Sequence, residues 1–181
     1  LENLTMFRIN PEKIVLVGDS AGGNLAMALT LMCIKYGVRP PDGLLLAYPA
    51  LNLDGTMFTP SYILAMDDQV LPYSLLKLCL AAYVPPNADP KSDPFLSPIK
   101  ASDEFLKQLP PLRIIIGDKD PFHDDCYRLA YKMQQLKKDV KLRVYKEMPH
   151  GFLGYDFPIP LQEAKICVQE AADILTELLR K

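Results

Sequence analysis

One serine between two glycines is the residue of this sequence best suited to chemistry. Residues 14–32 read "IVLVGDSAGGNLAMALTLM", in which Gly18, Ser20 and Gly22 follow an apolar run and open a helical pattern. A tight strand-to-helix turn exposes the serine hydroxyl, and we expect it to require glycine on both sides. The backbone N–H of Ala21 would then lie at the positive end of the helix, where it can stabilise an oxyanion. The pattern predicts a nucleophilic serine for acyl transfer, with a phosphate-type glycine loop or a plain turn as the alternatives.

A serine hydroxyl needs a base near neutral pH, and the sequence contains only two histidines. His150 follows a predicted strand in "EMPHGF", and if the strands are parallel this loop leaves the sheet on the side of Ser20. His123 lies just past "GDKDP" at the predicted start of a helix, where a solvent-exposed or capping role is commoner. We therefore expect His150 to be the base, with a structural histidine as the alternative.

The base in turn needs a carboxylate to orient it, and two aspartates follow the third predicted strand. Asp120 precedes a proline, which holds it extended and directs it away from the next helix. We expect Asp120 to be the acid, with Asp118 forming the turn. Asp124 and Asp125 resemble ordinary acids of a first helical turn.

Four short segments predict the strands that would position these residues. Residues 14–17, 44–48 and 112–116 are almost continuously apolar, which is typical of strands covered on both faces. Residues 140–145, "VKLRVY", alternate apolar and polar side chains and predict a strand nearer the edge of the sheet.

Helical periods alternate with these strands. Residues 21–36 are mostly apolar or small and precede Gly37, which predicts a buried helix with a glycine stop. Apolar spacing at 126–133 and 164–171 predicts two amphipathic helices, the second of which ends the chain. The alternation indicates a mainly parallel sheet with helices on both faces.

The order serine, aspartate, histidine along the chain is that of the α/β-hydrolase fold, which we predict for this single α/β domain. Its parts are the strand, elbow and helix at 12–37, a cap-like excursion over about 51–108, the acid and histidine turns at 109–157, and a C-terminal helix at 159–181. The leucines, alanines and tyrosines between Tyr62 and Tyr83 either line an acyl pocket or pack as core.

Composition excludes several other functions. Lys and Arg number 20 against 22 Asp and Glu, so the net charge of −2 gives no basic surface for nucleic acid. The four cysteines are scattered without metal-ligand spacing, which predicts buried free thiols, a reducing cytoplasmic location and no metal. We expect no organic cofactor, and no segment is long and apolar enough to span a membrane.

Four segments together resemble the hormone-sensitive lipase family, and most closely its animal type: "GDSAGGNLA", "PDGLLLAYPAL", "LPPLRIIIGDKDPFHDD" and "LRVYKEMPHGFLGY". The resemblance implies a serine esterase or lipase that cleaves acylglycerol or sterol esters, with Ser20, Asp120 and His150 as its triad. It also implies an acyl ester as ligand and, for the full-length protein, a lipid-droplet surface as partner.

Two features depart from that family. A short "VPPNADPKSDPFLSP" replaces its long phosphorylated insertion, so control of that kind is not expected. Its His-Gly-Gly-Gly motif, which completes the oxyanion hole, is absent from residues 1–13. We therefore expect the N-terminal strands and part of the cap to be missing, and the chain to be weakly active and prone to aggregate. An arylacetamide-deacetylase-like esterase and a non-catalytic ligand-binding protein of the same fold are the alternatives, although retention of His150 argues against the second.

Overall fold

A computed structural model describes residues 12–55, 58–156 and 161–180 and places four strands in one sheet. The strands are β1 (Val15–Asp19), β2 (Gly43–Ala47), β3 (Leu112–Gly117) and β4 (Val140–Tyr145). They lie in the order β1-β2-β3-β4, and each neighbouring pair is parallel. The predicted parallel sheet is therefore confirmed, and all four strands end at the same edge.

The helices of the described residues connect or follow these strands. They are α1 (Ala21–Tyr36), α2 (Pro60–Leu64), α3 (Tyr73–Tyr83), α4 (Asp103–Leu106), α5 (His123–Gln135) and α6 (Gln162–Arg180), with short 3-10 helices at Pro98–Lys100 and Phe152–Asp156. Helix α1 connects β1 to β2 and α5 connects β3 to β4. The long connection between β2 and β3 carries α2, α3 and α4.

Helices cover both faces of the sheet, as predicted. A Cβ atom built on Gly43 would lie 3.2 Å from Leu178 of α6, so the odd-numbered residues of β2 face that helix. Leu44 and Leu46 point the opposite way, toward the face on which α1 packs, and both are fully buried. Every residue of β2 and β3 is buried, in agreement with their continuous apolar sequences.

Helix α1 ends as predicted but is not buried all round. Gly37 takes a left-handed conformation with φ of 66° and closes the last turn. Leu25, Leu29, Met32 and Tyr36 nevertheless expose between 43% and 67% of their surface. The expectation of a fully buried helix is wrong, because the described part of the chain covers only one side of an apolar helix.

The two outer strands, β1 and β4, are more exposed than β2 and β3. Val17 of β1 is 57% exposed, so the expectation that both faces of this strand are covered is wrong. Among the described residues β1 pairs with β2 alone. Strand β4 lies at the other end of the sheet and exposes Lys141 and Arg143, which confirms the prediction of an edge strand.

Arg113 is the single charge in the three apolar strand sequences, and its side chain is only 1% exposed. Its guanidinium donates to the carboxylates of Asp139 at 2.8 Å and Glu177 at 3.2 Å. A buried charge is tolerated when it is paired and hydrogen-bonded in this way. The pair with Glu177 also fastens helix α6 to the sheet.

The excursion between β2 and β3 is tied back to the sheet domain by several bonds. Lys132 Nζ of α5 donates to the carbonyl of Ala101 at 3.1 Å, and Ser61 Oγ donates to the carbonyl of Pro121 at 3.0 Å. Near α2, the N–H of Ser61 donates to Asp124 Oδ2 at 3.0 Å. These contacts hold the excursion over the edge at which the strands end.

The cysteines fulfil the prediction in part. Cys126 and Cys167 are buried, whereas Cys33 is half-buried and Cys79 is exposed, so the expectation of buried thiols is wrong for these two. Within the described ranges, no helix is both long and apolar enough to cross a membrane.

Candidate active site

Ser20 occupies the single residue between the end of β1 and the start of α1. Its φ of 48° and ψ of −116° lie in a region that residues with side chains rarely adopt. Backbone hydrogen bonds hold this geometry: Ser20 N–H donates to Ala47 at 2.9 Å, and its carbonyl accepts from Asn24 at 3.2 Å and Ala50 at 3.1 Å. The predicted elbow is thus present as a strained turn.

The glycines around this turn have different roles. A Cβ on Gly18 would lie 2.5 Å from the carbonyl carbon of Gly22, so no side chain fits there. Among the described residues a Cβ on Gly22 would meet only Asp19 Oδ1, at 3.8 Å, so their packing does not impose the glycine that we expected at this position. Gly23, which the motif does not include, approaches Pro49 so closely that a Cβ would lie 2.7 Å from the proline Cβ.

Three side chains from three strand ends form one hydrogen-bonded chain. Ser20 Oγ lies 2.9 Å from His150 Nε2, and His150 Nδ1 lies 2.8 Å from Asp120 Oδ2. His150 is 4% exposed and Asp120 is fully buried. With Nδ1 protonated toward the carboxylate, Nε2 is free to accept the serine proton, which is the arrangement of a serine-histidine-carboxylate triad.

Both carboxylate oxygens of Asp120 accept hydrogen bonds. Its Oδ1 accepts from the N–H of Phe122 at 2.8 Å, while Oδ2 accepts from His150. Burial raises the pKa of Asp120, and these hydrogen bonds and the neighbouring imidazole act in the opposite direction. The carboxylate is therefore fixed in orientation and screened from water.

Two aromatic rings flank the imidazole of His150. The ring of Tyr48 lies 5.0 Å away and that of Phe122 lies 5.1 Å away, both edge to face. Burial, and then the charges of Asp19 and Asp120, raise the pKa of Tyr48, so its hydroxyl stays neutral. Sequence reasoning missed both rings, although each lies just past a strand end, at the edge that carries the triad side chains.

The alternative candidates lie elsewhere. Asp118 Oδ1 accepts from the N–H of Glu147 at 2.7 Å, so its carboxylate links the loop after β3 to the loop after β4 and takes no part in the bonds to His150. His123 is the first residue of α5, and its Nδ1 lies 3.4 Å from Asp124 Oδ1. Asp125 is in the first turn as predicted, yet it is not an ordinary exposed acid. It is 8% exposed, and burial raises its pKa. Among the described residues its Oδ1 has no hydrogen bond partner, although Arg128 Nη1 lies 3.7 Å from it.

The loops that carry Asp120 and His150 touch along their backbones. A Cβ on Gly117 would lie 2.6 Å from the carbonyl carbon of Met148, so only glycine fits at this crossing. Asp118 N–H donates to Tyr145 at 3.0 Å, and Lys119 N–H donates to Met148 at 3.2 Å.

An apolar cavity of about 290 Å³ opens beside Ser20. Its wall comes from α1, from the loop after β2 and from the excursion; it includes Ala21, Asn24, Leu25, Ala50, Leu53, Leu71, Leu76, Cys79, Leu80, Tyr83 and Phe122. The α3 face of the excursion therefore lines a cavity. Tyr62 and Tyr73 instead pack edge to face with each other, with ring centroids 5.9 Å apart.

Asn24 is a further residue that sequence reasoning missed. It is 3% exposed, and its Nδ2 donates to the carbonyls of Ala50 at 2.7 Å and Leu96 at 2.8 Å. One amide therefore joins helix α1 to the loop after β2 and to the excursion. The available signal was an amide side chain in a mostly apolar helix.

The oxyanion donor predicted at Ala21 lies at the first position of α1, beside the cavity. The first N–H groups of a helix have no intrahelical acceptor and form its positive end. Within the described residues no group of three or more His, Cys, Asp or Glu side chains could hold a metal ion.

The alpha/beta hydrolase fold family has a sequence model that matches residues 1–154. The chain belongs to this family. The predicted α/β-hydrolase fold is thereby confirmed, and the structure agrees with those of solved relatives. It superposes on carboxyl esterase 2 of Tuber melanosporum with a TM-score of 0.84 at 25% identity, covering 99% of this chain and 58% of that one.

Two curated relatives bear on the resemblance to hormone-sensitive lipase. The chain is 49% identical to hormone-sensitive lipase of Bos taurus over 72 residues, which is 40% of this chain and 9% of that protein. It is 31% identical to an esterase of Acinetobacter venetianus over 170 residues, covering 94% of this chain and 54% of the esterase. The family resemblance is supported, but the bacterial match covers more of the chain, so the animal type is not distinguished.

Proposed function

We propose that this hydrolase cleaves carboxylic esters through an acyl-serine intermediate. The observation that carries the proposal is the hydrogen-bonded chain from Ser20 Oγ through His150 to buried Asp120, placed beside an apolar cavity. The names of the relatives, which include esterases from Acinetobacter venetianus and Tuber melanosporum, agree with it.

The proposed reaction has two halves. His150 Nε2 takes the proton of Ser20 as Oγ bonds to the ester carbonyl carbon, and the carbonyl electron pair moves onto the oxygen facing the Ala21 N–H. The oxyanion then collapses, the alcohol leaves with the proton from His150, and an acyl-serine remains. Water repeats these steps and releases the acid, while Asp120 stabilises the imidazolium each time.

The substrate proposed is an acylglycerol or sterol ester. The cavity beside Ser20 is lined almost entirely by apolar side chains, as an acyl chain requires. The 72 residues shared with bovine hormone-sensitive lipase at 49% identity support the same class. With that class we propose a cytoplasmic location and, for the full-length protein, contact with a lipid-droplet surface.

The rate is expected to be low for the chain of 181 residues. Its sequence contains no His-Gly-Gly-Gly segment, so Ala21 is the only oxyanion donor that we assign. Loss of one such donor lowers the rate on the order of 10²- to 10³-fold. Covalent labelling of the serine requires only one attack by Ser20 Oγ, so it is a better measurement than steady-state hydrolysis.

The decisive experiment treats the purified 181-residue chain with an ethyl or octyl fluorophosphonate and locates the adduct by mass spectrometry. We expect one adduct on Ser20, none in Ser20→Ala, and slow release of nitrophenol from a p-nitrophenyl ester by the parent alone. A folded chain that binds ester but never labels would indicate a ligand-binding protein instead. Faster cleavage of a matched anilide than of the ester would favour an arylacetamide-deacetylase-like amidase.

Substitutions in helix α3 test whether the cavity binds the acyl chain. Leu80 lines the cavity, whereas Leu78 on the same helix is 66% exposed and does not. We expect Leu80→Trp to slow labelling by the octyl probe more than by the ethyl probe, because indole fills the space for the longer chain. Leu78→Trp should leave the ratio of the two rates unchanged. Equal ratios in both variants would contradict the assignment of this cavity to the acyl chain.

A further inference from the structure

Asp68 lies between α2 and α3, and its carboxylate accepts three backbone hydrogen bonds. Oδ1 accepts from the N–H groups of Val70 at 2.8 Å and Leu71 at 2.6 Å, which is an Asx-type turn. Oδ2 accepts from the N–H of His150 at 3.4 Å, across 82 residues of sequence. A local turn-former would need only the first two bonds, so the third is a tertiary link.

The segment around Asp68, residues 66–73, is closed by a backbone hydrogen bond and packs against the loop that carries His150. Tyr73 N–H donates to the carbonyl of Met66 at 2.9 Å and closes the segment. Gly151, with φ of 71°, follows the histidine, and a Cβ placed there would lie 3.2 Å from Val70 Cγ1. The Asp68 segment and the turn after His150 are therefore in contact through side chain as well as backbone.

The same segment forms part of the cavity wall. Leu71, whose N–H is bound by Asp68, lines the cavity together with Ser20. The Asp68 charge also acts on the triad, since it contributes, after burial, to the raised pKa of Asp120. One carboxylate therefore touches the wall of the cavity with one oxygen and the backbone of the base with the other.

We propose that Asp68 is a positioning residue that couples the wall of the acyl cavity to the placement of the His150 imidazole. An acyl chain that packs against Leu71 restricts the motion of Leu71 and of the Asp68 carboxylate bonded to it. The bond from Asp68 to the His150 backbone then holds His150 Nε2 within reach of Ser20 Oγ. The catalytic consequence rests on the proposed ester hydrolase function. The link between Asp68 and His150 does not, and it can be measured separately.

The first measurement follows hydrogen-deuterium exchange of the His150 amide in Asp68→Ala, Asp68→Asn and Asp67→Ala. Asp67 is the exposed neighbour of Asp68 and serves as the matched control. Loss of a hydrogen bond worth about 1 kcal/mol accelerates exchange by about fivefold. We expect that acceleration in Asp68→Ala and in Asp68→Asn, because an amide that keeps its oxygen toward Val70 and Leu71 presents a nitrogen, which cannot accept, to the His150 N–H. We expect none in Asp67→Ala.

The second measurement compares fluorophosphonate labelling of Ser20 in the same variants. We expect Asp68→Ala to lose roughly tenfold of the octyl rate but only a few-fold of the ethyl rate, because the ethyl group does not reach Leu71. Asp68→Asn, which can keep the turn bonds to Val70 and Leu71 but not the link to His150, should lose the octyl rate as Asp68→Ala does. Urea unfolding of each variant checks that the chain is folded, and Asp68→Asn keeps the side-chain shape if the alanine variant does not fold.

Two results would overturn the coupling. One is an exchange rate of the His150 amide in folded Asp68→Asn and Asp68→Ala equal to that of Asp67→Ala. The other is an equal loss of octyl and ethyl labelling, which would indicate general destabilisation. Absence of labelling in the parent chain would reject the proposed function, while faster amide exchange in the Asp68 variants would still support the structural link.

Discussion

Replacement of Asn24 by alanine removes a side chain that joins helix α1, the loop after β2 and the excursion. Its Nδ2 donates to the carbonyls of Ala50 and Leu96 at 2.7 and 2.8 Å. Ala50 is buried and also donates its N–H to the carbonyl of Ser20, so displacement of Ala50 would disturb the backbone of the elbow. We expect Asn24→Ala to lower both stability and labelling of the serine.

The size of the effect follows from the two carbonyl groups left without a partner. A buried group that loses its partner costs about 1–3 kcal/mol. The Ala50 carbonyl carries the full penalty, and the Leu96 carbonyl carries less because Leu96 is half-buried. The sum is about 2–4 kcal/mol, or about 5–15 °C in melting temperature for a chain of this size.

Thr30→Val is the matched control for this prediction. Thr30 is fully buried in the same helix, but its hydroxyl donates only to the Ala26 carbonyl one turn earlier. That carbonyl keeps its helical partner, so the substitution is expected to cost less than about 1 kcal/mol. Urea unfolding and melting of both variants would test the reasoning. Equal midpoints for Asn24→Ala and Thr30→Val would refute the role assigned to the amide.

Three further predictions concern the site and its supports. Asp120→Asn should lower the labelling rate of Ser20 by about 10³- to 10⁴-fold, because the amide no longer fixes the histidine tautomer. Asp118→Asn should change that rate little, because its amide oxygen can still accept from the N–H of Glu147. Comparable losses in both variants would contradict the choice of acid. Gly18→Ala should prevent correct folding of the elbow while Gly22→Ala is tolerated, as judged by melting temperature and labelling, and the reverse order would be inconsistent with the contacts at these positions. Burial raises the pKa of Asp125, so the native state binds the carboxyl proton more tightly than the unfolded state does. The free energy of unfolding therefore falls as pH rises from the ordinary aspartate pKa through the raised pKa of the native state. Asp125→Asn should therefore be more stable than the parent in urea at pH 7, with the difference shrinking toward pH 4, and a difference that grows on acidification would show that the sign is wrong.

Local patterns accounted for the parts of the fold that depend on neighbouring residues. The apolar runs predicted all four strands, and the glycine stop of α1 at Gly37 follows from backbone sterics alone. The same reasoning brought Ser20, Asp120 and His150 together, because each follows a strand of a parallel sheet. Their catalytic roles remain predictions.

Contacts between distant segments could not be read from the sequence. An apolar helix such as α1 has no polar face to show which side is covered, so the exposure of Leu25 and Leu29 was not foreseen. The partners of Asn24 and Asp68 lie 72 and 82 residues away, and no periodicity encodes such pairs. The motif also placed a glycine requirement at Gly22 that the packing places at Gly23.

The backbone crossing at Gly117 has a consequence for protein engineering. Because this glycine passes directly against Met148, and the flanking amides bind across the crossing, the acid turn and the histidine turn form one rigid bracket. Transplanting either turn alone from a homologous hydrolase would import a loop shaped for a different neighbour. Chimaeras that exchange residues 117–120 and 145–151 as a pair should retain the triad spacing, whereas single exchanges should lose it.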